Sequence, residues 1–516
     1  MEKKKNMKKI ILFISLFLFT GNLFPQNKIK FGEFTIDEYI EQSMKRWQVP
    51  GMSVAIIKDG EIVHLKGYGV REIGKPDKVD ENTVFAIASN TKPFTGTLIS
   101  LFESNGKIKL TDKISDYFKD FKLYDDKYSD IVNIEDVISH RLGIETFHGD
   151  FFTWGTNFSS GELINFIRYV KPSFELRNGY GYNNTGFTIA GKILEKESGV
   201  KWRDLIKDYF FVPLEMNNSV TENSELEKID NKAMPHSFDF NMNVVSLPYN
   251  NVENLAPAGG IYSSAKDVAN WIIMQLNRGK FKGREIFSQS VLDRTLVPAN
   301  TIKTTAYNPG NPVNRHFLTY GLGWFMQDYR GKLLVEHSGG YDGMVSRTSF
   351  MPETGVGLVI LTNTDDNNII STLMNQIYDY YLGADFFNWD SNSYSRAKIY
   401  FEDDFKNWNE KLADTSKHLM PSFDMNDLIG TYENTPAGTA SIEFKDGKYI
   451  LNLEMRPKTK GIIKHWHNDT LYCETNDYTF GRCFMPVKVE SGKIISINIK
   501  ADDFIDPLYY EFKRKY

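Results

Sequence analysis

Apolar and polar positions divide the chain into two textures. From residue 30 to about 385, segments with helical spacing alternate with short β-like runs. Met52 to Ile57 and Glu61 to Gly69 flank Asp59-Gly60. Two β-rich runs around Asp-Gly predict a hairpin. Helical spacing marks Lys92 to Glu103, which stops at Asn105-Gly106, and Thr185 to Ser198, which stops at Gly199. It also marks Ser264 to Asn277, where Ser264 and Asp267 fit a capping box. Leu318 to Gln327, Met344 to Phe350 and Val356 to Leu361 are β-like, and Ile369 to Leu382 is a last helix. Strands open and close this region, with helices between them. The expected fold class is α/β (α+β): one antiparallel sheet made from both ends of the domain, with an inserted helical body.

The second texture begins near Phe386. Residues 386–427 are polar, with a charged helix-like stretch running to Leu412, and are expected to be a linker. From Leu428 to the end of the sequence the pattern is short strands and turns. These include Ser441 to Phe444, Tyr449 to Leu453, Gly461 to Trp466, Thr470 to Glu474, Val487 to Val489, Lys493 to Lys500 and Tyr509 to Lys513. Regular short strands of this kind predict a small all-β barrel or sandwich over 428–516.

Composition narrows the class. Hydrophobic residues make up 41% and charged residues 25% of 516, which supports a packed core and excludes global disorder. The N-terminus carries Lys3, Lys4, Lys5, Lys8 and Lys9, then an apolar run from Ile10 to Phe19. A basic segment before a short apolar run is expected to be a signal peptide, here residues 1–26, with the mature protein periplasmic or secreted. Its loss removes five Lys and one Glu and takes the net charge from −5 to −9. Neither value suits nucleic acid as a partner, and contact with a membrane is expected only during export. Cys473 and Cys483 are the only cysteines, too few for a disulfide framework or a Cys-rich zinc module. They bracket a possible hairpin, and export permits a disulfide between them. His465 and His467 would share one strand face, but no third ligand accompanies them, so a solvated face is the preferred reading.

Three short motifs carry the chemistry. Ser89-Asn90-Thr91-Lys92 joins the apolar Val84 to Ala88 to a helix start. Residues three apart share a helix face, so the Lys92 amine can sit beside the Ser89 hydroxyl. A serine is a weak nucleophile until a neighbour takes its proton, and a lysine does this once burial or charge lowers its pKa. The same spacing recurs at Ser104, Ser198, Ser263 and Ser395, each in a turn, cap or linker rather than at a buried helix start. Tyr182-Asn183-Asn184 precedes a helix; the phenol can relay a proton, and Asn184 can hydrogen-bond a substrate amide. His337-Ser338-Gly339-Gly340 precedes a strand; His337 could orient substrate or assist proton transfer, and the glycines permit close approach.

Taken in order, Ser89-x-x-Lys92, Tyr182-x-Asn184 and His337-x-Gly339 resemble the serine β-lactamase and penicillin-binding-protein superfamily. The Y-x-N element makes the likeness strongest to the branch of class C β-lactamases, D,D-peptidases and esterases, the peptidase S12 type. His140 to Ile144 and Pro257 to Ser264 also match that branch. The resemblance covers about residues 30–385, and 428–516 resembles the lipocalin-like β-domain often appended to such hydrolases.

The resemblance implies an acyl-enzyme on Ser89, with Lys92 and Tyr182 sharing acid–base work and Asn184 holding the substrate amide. It implies an oxyanion hole from the backbone N–H groups of Ser89 and Gly340, and no cofactor or metal. The branch's true β-lactamases usually carry Lys where His337 stands, so weaker recognition of a β-lactam carboxylate is implied. The expected function is an exported serine hydrolase cleaving an amide or ester in D-amino-acid peptides or small acyl compounds. A broad esterase or weak β-lactamase is the first alternative. A binding or sensor protein for acylated cell-wall fragments is the non-enzymatic one. Phe147, Phe151, Phe152 and Trp154 could line the acyl pocket or could be core. The substrate and the oligomeric state are not fixed by the sequence.

Overall fold

The computed structural model describes residues 29–516 apart from 306–311, 314 and 415–418. The expected signal peptide lies outside these residues. Helix α1 (Ile36–Trp47) opens with a capping box in which Thr35 and Glu38 satisfy each other's backbone N–H groups. Strands β1 (Gly51–Lys58) and β2 (Glu61–Gly69) form the expected hairpin. Helices α2 (Lys92–Ser104), α3 (Asn184–Ser198) and α4 (Ala265–Leu276) follow at the expected places.

Six strands then complete the sheet: β3 (Asn300–Thr301), β4 (Leu318–Tyr320), β5 (Phe325–Tyr329), β6 (Lys332–Tyr341), β7 (Met344–Met351) and β8 (Val356–Thr362). The order is β3-β4-β5-β6-β7-β8-β1-β2, so the N-terminal hairpin docks on the C-terminal strands, as expected. Every pairing in it is antiparallel. Residues 318–327, expected as one strand, are two. They are separated by a turn at Gly321–Gly323 that lets the Leu322 carbonyl lie against Gly96 of α2, where a Cβ would stand 1.8 Å from the oxygen.

Alternation along β1 explains why its run is apolar on both faces. Val54 and Ile56 pack with α1 and with helix α5 (Ile369–Tyr381). Ala55 and Ile57 face the larger core that contains α2, α3 and α4. The sheet is thus sandwiched between helical layers, and α2 is buried along nearly its whole length.

The polar stretch after α5 is not a loose tether. It forms α6 (Trp389–Ala413), whose first turn is docked on the hydrolase-like part. Trp389 Nε1 donates to Asp379, and buried Asp390 accepts from Trp47 Nε1 at 2.7 Å and pairs with Arg46. At its other end Trp408 stacks on Phe484 and the Lys411 carbonyl accepts from Trp466. Asp390→Ala leaves Arg46 and Trp47 without their acceptor. We expect it to cost about 2–3 kcal/mol, read as a lowered urea midpoint at unchanged slope.

Eight antiparallel strands close a barrel: β9 (Gly430–Asn434), β10 (Gly438–Lys445), β11 (Lys448–Leu453), β12 (Arg456–His467), β13 (Thr470–Thr475), β14 (Arg482–Glu490), β15 (Lys493–Ile499) and β16 (Tyr510–Lys515). Closure removes open edges, as β16 pairs with β9. Cys473 and Cys483 are directly opposite on β13 and β14, both buried and both free thiols. His465 Nε2 bonds the Asn468 carbonyl, and His467 Nδ1 accepts from the Leu419 backbone. No cluster able to hold a metal ion occurs among the described residues.

Candidate active site

The segment leading into α2 is held from several sides. Ala88 has a φ of 47°, a left-handed conformation unusual for alanine, immediately before Ser89. The surrounding structure over-determines this turn (Ala88–Thr91). Asn90 Nδ2 donates to Ser346 Oγ at 2.8 Å, Thr348 donates to Asn90 Oδ1 at 2.6 Å, and Ser346 donates to the Ile87 carbonyl at 2.8 Å. Thr91 Oγ1 accepts from the Ile261 backbone. Gly339 of β6 abuts the same turn, and a Cβ there would lie 2.2 Å from the Ile87 oxygen. These contacts leave Ser89 partly exposed while its neighbours are buried.

Lys92 is fully buried, and its Nζ has three partners: Ser89 Oγ at 3.0 Å, Asn184 Oδ1 at 2.8 Å and the Ala258 carbonyl at 2.8 Å. Two of these are acceptors only. Burial holds the amine well below its ordinary pKa, opposed by the nearby Asp150 charge. In the neutral amine, both N–H groups are used by Asn184 and Ala258. The lone pair is left for the Ser89 proton.

Asp150 was not singled out from the sequence, yet it completes this network. Asn184 Nδ2 donates to Asp150 Oδ2 at 2.7 Å, so the amide bridges Lys92 and a buried carboxyl. Burial, with Asp506 adding to it, pushes Asp150 up to about 7 against the pull of the Asn184 hydrogen bond. When ionised, Asp150 keeps the Lys92 proton on. Asp150→Asn can still accept from Asn184 but carries no charge. We expect the acid limb of the kcat/KM–pH profile of that variant to move to lower pH by about one unit. A limb that stays or rises contradicts the network.

Tyr182 is buried with its ring 4.7 Å from Lys92 Nζ. Its segment is clamped to residues 140–147. Gly181 N donates to the His140 carbonyl, Asn183 N donates to His140 Nδ1, and Phe147 N donates to the Tyr182 carbonyl. The Asn183 bond places the His140 proton on Nε2. The His140 ring, kept neutral by burial and by Lys92, stacks on Tyr182 with centroids 4.4 Å apart. Burial raises the Tyr182 phenol above its ordinary pKa, partly offset by the Ser89 hydroxyl, so it remains a proton donor.

His337 lies within β6 rather than before a strand. Its Nδ1 contacts the Ser338 carbonyl at 2.5 Å, which fixes the proton on Nδ1, and Nε2 then accepts from Tyr320 at 3.2 Å. Burial and Lys92 push it down to about 3. It is neutral and both nitrogens are engaged, so the proton-transfer role expected from the sequence gives way to shaping the wall behind Tyr182. Beyond Glu336, β6 pairs only with β7, so Gly339 and Gly340 lie on an open strand edge.

The four aromatics divide. Phe151 and Phe152 are core, packing on Tyr510 of the barrel with centroids 4.5 Å away. Trp154 donates to the buried Asp342 at 2.8 Å. Only Phe147 borders the site, edge-on to Tyr182 at 5.6 Å.

Comparisons with known proteins give the chain its family and its structural neighbours. The chain is 28% identical over 343 residues to the unguisins hydrolase ungD' of Aspergillus campestris, covering 63% of this chain and 61% of that protein. It is 26% identical over 339 residues to protein flp of Staphylococcus aureus, covering 65% and 64% respectively. The chain thus matches about three fifths of these relatives' length. Among solved structures, the octameric penicillin-binding protein homologue from Pyrococcus abyssi superposes with a TM-score of 0.60 at 21% identity, over 92% of this chain and 99% of that one. A class C beta-lactamase superposes at 0.53 and 20% identity, over 67% and 94%. A D-stereospecific amidohydrolase from a Streptomyces species superposes at 0.54 and 18%, over 67% and 98%. The family described as Beta-lactamase matches residues 36–375, most of the chain, and the chain belongs to that family.

Proposed function

We propose that the protein is an exported serine hydrolase that cleaves amide or ester bonds through an acyl-enzyme on Ser89. Its substrates are D-amino-acid-containing peptides or small acyl compounds. One observation carries the reading: the buried Lys92 amine, 3.0 Å from Ser89 Oγ, has its other two partners in obligate acceptors. Neutral Lys92 takes the hydroxyl proton as Ser89 attacks the carbonyl. The Ser89 and Gly340 backbone N–H groups receive the developing oxyanion. Tyr182, protonated and beside both Ser89 and Lys92, passes a proton to the leaving group. Water then attacks the ester of Ser89 with the same pair reversed, releasing the acid. Asn184 serves first as the bridge that orients Lys92.

Neutral His337 places no cation on β6, which favours amide or ester substrates without a carboxylate over β-lactams. A fluorophosphonate probe tests the assignment. Wild type should be labelled, and digestion should place the adduct on Ser89. Parallel assays with D-amino peptides, p-nitrophenyl esters and nitrocefin should give turnover in the first two classes and little in the third. Failure to label wild type returns the protein to a binding role. Periplasmic or extracellular recovery, with loss of residues 1–26 by intact mass, tests export.

A further inference from the structure

The barrel reaches the candidate active site through the segment between β15 and β16. This segment is folded rather than loose. Asp502 accepts from the Phe504 backbone at 2.9 Å, Ile505 N and Asp506 N donate to the Asp502 carbonyl, and Ala501 and Ile505 are buried. Asp506 accepts from Gly149 N at 2.8 Å and Phe151 N at 3.2 Å, holding both residues that flank Asp150. With Asp502 and Ile505 anchored on either side of it, Phe504 is left half-exposed. Its ring meets the open edge of β6, with Cζ only 2.9 Å from where a Cβ on Gly340 would stand. On the other side its centroid is 6.3 Å from that of Phe147, which in turn touches Tyr182.

We propose that Phe504 is a specificity-determining residue. With Phe147 it forms an apolar wall beside Gly340 that takes an apolar, non-anionic acyl side chain of the substrate. The wall lies on the strand edge that the acyl-enzyme reading assigns to the oxyanion, and the proposal rests on that reading. An aromatic ring held on a fixed turn offers contact area at little ordering cost. The acidic groups nearby set the charge preference. Asp342 is two residues past Gly340, Asp365 accepts from Gly343 N, Asp502 holds the Phe504 turn, and Asp506 holds residues 149–151. The cations nearby are already engaged: Lys92 and Arg456 are buried, and Lys500 pairs with Asp503 at 2.5 Å and offsets Asp502, so a carboxylate-bearing side chain is disfavoured.

The test compares p-nitrophenyl acetate with p-nitrophenyl phenylacetate on full-length wild type, Phe504→Ala and Phe504→Tyr. Fluorophosphonate labelling rate and thermal midpoint serve as controls. Wild type should favour the phenylacetyl ester. In Phe504→Ala its kcat/KM should fall about tenfold, with the acetyl ester and the labelling rate changed less than about twofold. Phe504→Tyr should retain the preference. Equal loss on both esters, no loss on either, or no preference in wild type overturns the proposal while leaving the Ser89 reading intact. Absence of labelling and of turnover in wild type overturns the Ser89 reading instead, and this proposal with it.

Discussion

Ser89→Ala should lower turnover of any productive ester or amide by about four to six orders of magnitude and abolish fluorophosphonate labelling. The size of the effect follows from the geometry. The hydroxyl is the group that bonds to substrate, and the other two hydrogen-bond partners of Lys92 Nζ are an amide oxygen and a backbone carbonyl, neither of them a nucleophile. Folding should be little affected, because Ser89 is partly exposed and its hydroxyl meets Lys92 and Tyr182 within the site itself. The strained Ala88 turn is fixed by Asn90, Thr91 and Ser346, none of which the substitution touches. An unchanged thermal midpoint with lost activity is therefore expected. Labelling at another serine would refute the assignment.

Lys92→Met should slow acylation by about 10²- to 10⁴-fold. Methionine approximates the shape of the lysine stem but has no lone pair able to take the Ser89 proton. Residual activity should then depend on hydroxide and rise with pH, with no acid limb. In wild type the sign is the reverse of an ordinary lysine at neutral pH. Burial lowers the amine's pKa, so rate climbs as the ammonium is lost and levels off above that pKa. The variant also leaves Asn184 Oδ1 and the Ala258 carbonyl without their donor, which costs stability, while it removes a buried amine that resists charging. These two effects oppose each other in the midpoint, so the diagnostic readout is the shape of the pH profile. A variant that keeps the wild-type acid limb would exclude Lys92 as the base.

Local signals were the legible part of this molecule. The Asp59-Gly60 hairpin, the cap at Ser264, and the helix stops at Asn105-Gly106 and Gly199 each rest on residues a few positions apart. Ser89, Lys92, Tyr182 and Asn184 were visible for the same reason, since each motif sits at a helix start. Asp150 left no trace. It lies in a short irregular segment, and its meaning comes from Asn184 and Asp506, both distant in sequence. Of the two roles expected of His337, proton transfer is the one its surroundings disfavour, because Tyr320 and Ser338 occupy its nitrogens, which the sequence does not show. The strand expected over 318–327 breaks because α2 needs the Leu322 carbonyl beside Gly96, a tertiary demand on a locally strand-like sequence. Phe504 was hidden most completely, because a barrel turn gives no hint of the surface it will face.

The closing strand of the barrel has a consequence in time. Synthesis delivers Ser89, Lys92 and Tyr182 long before β16, which pairs with both β9 and β15 and fixes one end of the turn that carries Phe504 and Asp506. Until that strand zips up, Gly149 N and Phe151 N lack the Asp506 carboxylate, and Phe504 has no fixed place beside Gly340. Any order of folding in which the sheet and its helices close before β16 pairs would therefore assemble the reactive residues while the selectivity is still unfinished.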